Sequence, residues 1–230
     1  MMLSKHARGW SWLLALLASS TLAQAPVYVP TGTLAAIIDG EPIAFATHAN
    51  LVPEPGAAIG DAAADARALA AALTGREVNT ASFRYSEPLV VGGVTALPAT
   101  LFVQLRARVA PDSREERREL VLSFALDPET LAWDGDPGRV SVEFHPERWR
   151  ATAHYQLLEL RAFELTLVEA VEPHALRIAG RLAATLAWRE GAFQVTVDPT
   201  RSVELMVEFE AFPVAGDDVL GPLLEDVSRD

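Results

Sequence analysis

The chain contains no cysteine, and its 230 residues include a single lysine, Lys5. Without a thiol there is no disulfide staple, no thiolate nucleophile, no zinc–thiolate site and no acylated cysteine of the bacterial lipoprotein kind. Lys5 falls in a segment read below as a removable export signal, so the mature chain also lacks a Schiff-base lysine and the lysine of a Walker phosphate loop. Positive charge is scarce throughout, 19 basic residues standing against 31 acidic ones for a net charge of −12. Such a surface repels nucleic acid and anionic lipid, whose binding relies on a net basic footprint. No apolar run reaches the roughly 20 residues of a membrane-spanning helix.

The amino terminus carries an export signature. Lys5 and Arg8 precede the apolar run 12–18, and Ala23 and Ala25 frame a small-residue A-Q-A site just before ordinary polar sequence begins. Residues 1–25 therefore read as a signal peptide cut after Ala23 or Ala25, which predicts a soluble mature protein in the periplasm or outside the cell. Its removal leaves 17 basic against 31 acidic residues, a net charge of −14. Residues 26–214 are long enough for one domain with a real core. Residues 215–230, acidic and interrupted by Gly221-Pro222, read as a tail.

Within the domain, the Asp39-Gly40 dipeptide between two apolar stretches predicts a tight hairpin. Residues 61–74 show helical spacing of Ala62, Ala66, Leu69, Ala70 and Leu73, with Asp61 placed to cap the start and Gly75 to close the end. From Val78 onward the apolar period becomes two. Leu101, Val103, Leu105 and Ala107 share one strand face, as do Leu120, Leu122, Phe124 and Leu126, then Val140, Val142 and Phe144. Leu176, Ile178, Leu182, Leu186 and Trp188 form another such set, and Val203, Leu205, Val207 and Phe209 the last. Short connections with turn residues leave no room for crossover helices. The expected fold is thus mainly β: an antiparallel β-sandwich or meander barrel of eight to ten strands with one Ala-rich helix packed on it.

Reactive groups are present but do not converge in the sequence. Glu204, Glu208 and Glu210 lie two apart on one strand, near the carboxylate spacing of an inverting glycosidase, but they sit on its polar face. Arg177, Arg181 and Arg189 on the preceding strand predict cross-strand ion pairs instead. His48, His145, His154 and His174 form no H-x-H or H-x-x-x-H pair, and a short turn at 146–148 would place His154 away from His145. No serine lies in a G-x-S-x-G context. The stretch 90–94, VVGGV, lacks a phosphate-loop spacing and reads as a bulge or turn.

The one loop with ligand-binding character holds Trp133, Asp134 and Asp136. Its two carboxylates resemble the start of an oxygen-rich calcium site without the closing glutamate, and the indole could stack on a sugar. The sequence assigns no catalytic residue, metal or cofactor. The leading expectation is a non-catalytic exported domain that binds a protein or small-molecule partner or serves the envelope. A carrier of a hydrophobic, lipid-like ligand and a hydrolase with a site assembled in space are the alternatives.

Overall fold

The computed structural model describes residues 27–51, 80–109, 118–146, 153–172, 174–191 and 196–215. The signal segment expected at 1–25, the helix expected at 61–74 and, apart from Ala215, the tail expected at 215–230 lie outside the described residues.

Among the described residues eleven strands run in chain order: β1 Val27–Ile38, β2 Glu41–Leu51, β3 Ala81–Ser86, β4 Leu89–Val91, β5 Val94–Leu97, β6 Thr100–Arg108, β7 Glu119–Leu126, β8 Val140–His145, β9 Ala153–Glu172, β10 Ala175–Glu190 and β11 Thr196–Ala211. Nine of them form one antiparallel sheet in the order β2-β1-β11-β10-β9-β8-β7-β6-β3. The expected eight to ten strands are exceeded because β4 and β5 make a separate two-stranded ribbon. The sheet returns on itself, since Ala46 of β2 also pairs with Arg108 of β6. Thr80 stitches the same corner, its amide donating to the His48 carbonyl at 2.9 Å and its carbonyl accepting from the Arg106 amide at 2.7 Å.

Local chemistry explains the turns. Asp39 and Gly40 both take positive φ, 51° and 83°, between the paired residues Ile38 and Glu41. This is the left-handed geometry a two-residue hairpin requires. The tip is then tied to β11: the Asp39 amide donates to the Glu204 carbonyl, and the Glu204 amide donates to the Asp39 carboxylate at 2.9 Å.

The inward set matches the two-residue rhythm. Leu34, Phe45, Leu101, Leu105, Phe124, Ile178, Leu205 and Phe209 belong to one buried cluster that spans the sheet. Burying each such side chain contributes about 1.5–3 kcal/mol. Trp188 departs from the expectation. It is half-buried, with its ring under the Arg201 guanidinium at 4.3 Å and its indole N–H toward Glu190. The pairing with β11 shifts register between Ala187 and Trp188, and the indole packs edge-on against Tyr155 at the margin of the core.

β9 and β10 make the longest pairing, and register shifts at Ala179/Gly180, Ala183/Ala184 and Thr185/Leu186 let it coil. Residues 153–172 form the single strand β9, with no turn residue to interrupt it.

Candidate functional site

The loop holding Trp133, Asp134 and Asp136 is folded onto itself. Asp134 Oδ1 accepts the Asp136 amide at 3.0 Å, and Asp136 Oδ1 accepts the Gly138 amide at 2.8 Å, capping a single 3₁₀ turn at Pro137–Arg139. Arg139 Nη1 lies 3.1 Å from Asp134 Oδ2. Both carboxylates therefore serve the turn, and a cation there must compete with a guanidinium already in place. Trp133 packs edge-on against Phe163 with ring centroids 4.9 Å apart, so its main partner is the core. Among the described residues, no group of three histidine or acidic side chains is arranged to hold a metal ion.

The polar strand faces are ion-paired, in part as expected. Arg177 Nη2 meets Glu210 Oε1 at 2.7 Å across β10 and β11. Arg181 turns instead to Glu164 of β9 at 2.6 Å, and Glu204 is held by Arg161, whose Nη2 donates to its Oε1 at 2.8 Å. Exposed pairs of this kind contribute about 0.2–1 kcal/mol each.

A histidine cluster corrects the sequence expectation. Glu143 pairs with Gln156 and Phe144 with Tyr155, so the strands β8 and β9 meet about a centre beyond the short turn assumed from sequence. His145 and His154 consequently stack, with centroids 4.6 Å apart and planes 26° from parallel. The two imidazoles stand in a polar rung across five strands, Arg108, Glu119, His145, His154 and Arg189. Glu143 beside them accepts from His145 Nε2 at 3.2 Å and lies 4.0 Å from His154 Nε2. Glu119, itself buried, is held by Arg108 at 2.8 Å and Arg106 at 3.5 Å. His154 is only 5 % exposed, and neither ring nitrogen has a hydrogen-bond partner. His48 and His174 stand on β2 and in the β9–β10 turn, off this rung.

Burial holds the His154 imidazole below its ordinary value of 6.5, while the Glu143 carboxylate pulls the other way. The hydrogen bond from His145 keeps the Glu143 carboxyl below its ordinary 4.5. The unfolded chain thus binds a proton at His154 that the fold resists, and this contribution to stability is complete above pH 6.5 and lost as pH falls below it. The Glu143 contribution is present above pH 4.5 and is lost as pH falls through its folded pKa. The melting temperature is expected to decline from pH 7 to pH 5, and His154→Leu to flatten that decline because it removes the group that must charge. Parallel pH profiles for the two proteins would show that the imidazole does not set the slope. Among the described residues no hydroxyl bonds to either ring.

Among the described residues, five of the large hydrophobic side chains that stand exposed lie on the β4–β5 ribbon. Val91 and Val94 flank Gly92 and Gly93, whose φ values of 60° and 82° make a two-residue hairpin turn. Leu89 pairs with Leu97 and Val91 with Val94, which puts four large apolar side chains on one face. They are 51 to 70 % exposed, and Tyr85 and Phe102 at the base are exposed as well. A cleft of about 390 Å³ lies beneath, lined by Leu89, Leu97, Phe102, Ser123, Arg139 and Ser141 among others. The V-V-G-G-V stretch marks the turn in the sequence, but the apolar letters around it do not say that they point outward.

Comparison with known protein families, with curated proteins and with solved structures finds no match for this chain.

Proposed function

We propose that the chain is an exported, non-catalytic binding domain. Its nine-stranded sheet closes into a barrel through the β2–β6 contact, and the barrel presents the β4–β5 ribbon to an extended segment of a partner protein. The observation that carries this reading is the ribbon's face of Leu89, Val91, Val94 and Leu97, each more than half exposed. A contiguous apolar patch on an otherwise acidic chain marks an interaction site.

A protein strand is the occupant that suits the ribbon. Among the described residues β4 and β5 pair only with each other, so their outer edges offer backbone donors and acceptors that a third strand can complete. A bilayer interior has no groups to satisfy them. One apolar cluster reaches across the sheet, which supports binding at the surface in place of transport inside.

A photoreactive side chain at position 94, in protein made by its own cells, is expected to yield one discrete protein adduct, while the same group at exposed Thr200 yields none. Val91→Asp combined with a probe at position 97 should abolish the adduct. Because Val91 is exposed, that charge should change stability by less than about 0.5 kcal/mol. No adduct at position 94, or one with phospholipid alone, overturns the proposal.

A further inference from the structure

A second apolar surface lies on the outer face of the sheet, centred on β1, β11 and β10. Register places Pro42, Ile37, Met206, Ala183 and Ala162 side by side across β2, β1, β11, β10 and β9. All five point outward, since their neighbours Ile43, Ala36, Val207, Leu182 and Phe163 are buried. The alanines lie low, while Ile37 and Met206 stand up at 40 and 54 % exposure. The result is an open groove of about 620 Å³, within the size range of small-molecule sites.

The next rung gives the groove its charge. Ala44, Ala35, Glu208, Arg181 and Glu164 follow one another across the same strands. Arg181 bonds to Glu164, and Glu208 makes no ion pair among the described residues. On the other flank Arg161 is held by Glu204. Each arginine bordering the groove is thus already engaged by a carboxylate, and one carboxylate, that of Glu208, is left over at its wall. Among the described residues an anionic ligand would meet no free cation here, whereas an apolar body with one positive group would find both an apolar floor and a counter-charge.

We propose that this groove binds a small apolar molecule bearing one cationic group, its apolar body lying along Ile37, Met206 and Ala183 and its positive group at Glu208. The site is independent of the ribbon proposed above as a protein-docking surface.

The test uses three single-chain amphiphiles with the same tail, below their micelle concentrations, on the full exported protein by titration calorimetry and native mass spectrometry. Dodecyltrimethylammonium is expected to bind one to one, dodecyl maltoside more weakly, and dodecyl sulfate most weakly. Glu208→Gln should lower affinity for the ammonium about two- to fivefold, the worth of a solvent-accessible ion pair, and leave the maltoside unchanged. Ala35→Phe, at an exposed position where the fold should persist, fills the groove and should remove binding of all three. Val94→Asp, in the ribbon, should alter none of them. The proposal is overturned if the sulfate binds as tightly as the ammonium, or if Glu208→Gln has no effect on the ammonium. It is equally overturned if Val94→Asp removes binding that Ala35→Phe leaves intact, or if the ammonium binds at many equivalent sites.

Discussion

Phe124→Ala is expected to lower the free energy of unfolding by about 3–5 kcal/mol. Its ring is 1 % exposed and meets Phe163 at 5.2 Å and Phe209 at 6.3 Å, so it joins β7, β9 and β11 through the middle of the core. Trp133 closes the same cluster by its contact with Phe163. Removing the ring leaves a cavity that the surrounding strands, fixed by their hydrogen-bond ladders, can only partly fill. For a domain of ordinary stability, about 5–15 kcal/mol in all, that is a large fraction. Urea denaturation should show the midpoint falling with the slope unchanged. Phe102 is the matched control: it sits on the neighbouring strand β6 but is 42 % exposed, with the Arg84 guanidinium over its ring. Phe102→Ala should cost well under half as much. Equal losses at the two positions would contradict the division of the sheet into an inner and an outer face.

Gly180→Ala is expected to destabilise the fold by about 1–3 kcal/mol, through overpacking and not through a lost contact. A Cβ at this position would stand 2.5 Å from the Glu164 carbonyl oxygen and 2.7 Å from the tip of the Phe209 ring. The first neighbour is backbone of the adjacent strand, which can yield only by breaking the register shift at Ala179/Gly180. The second is a side chain and can be trimmed. Phe209→Leu in the Gly180→Ala background should therefore recover part of the loss, leaving the carbonyl contact in place, and a double-mutant cycle of thermal unfolding measures the recovered share. Strict additivity of the two substitutions would show that ring and glycine do not meet.

The sequence was informative where a property belongs to one strand and silent where it belongs to two. Leu101, Val103, Leu105 and Ala107 alternate with polar residues, and all four are buried, because the pleat sends neighbours to opposite faces whatever the partner strand is. The Asp39-Gly40 turn was equally legible, since its geometry is set by the two residues themselves. The stacking of His145 on His154 was not. It depends on how far the connection between β8 and β9 reaches before pairing begins, and sliding that pairing leaves the alternation of each strand untouched. The groove along Pro42, Ile37, Met206, Ala183 and Ala162 was hidden for the same reason, as it is written across five strands with one residue from each. The ribbon was obscured differently: exposed valines and leucines read as core until a neighbour fails to cover them.

Ser86 at the end of β3 faces Thr100 at the start of β6. Everything from 87 to 99, the whole ribbon included, is thus an excursion from a hairpin whose two legs already meet. A two-residue reverse turn could bridge that gap, and the remaining body would keep its nine strands and its interior. The ribbon is in this sense a replaceable cassette, and the same body could carry a different one without redesign of its core.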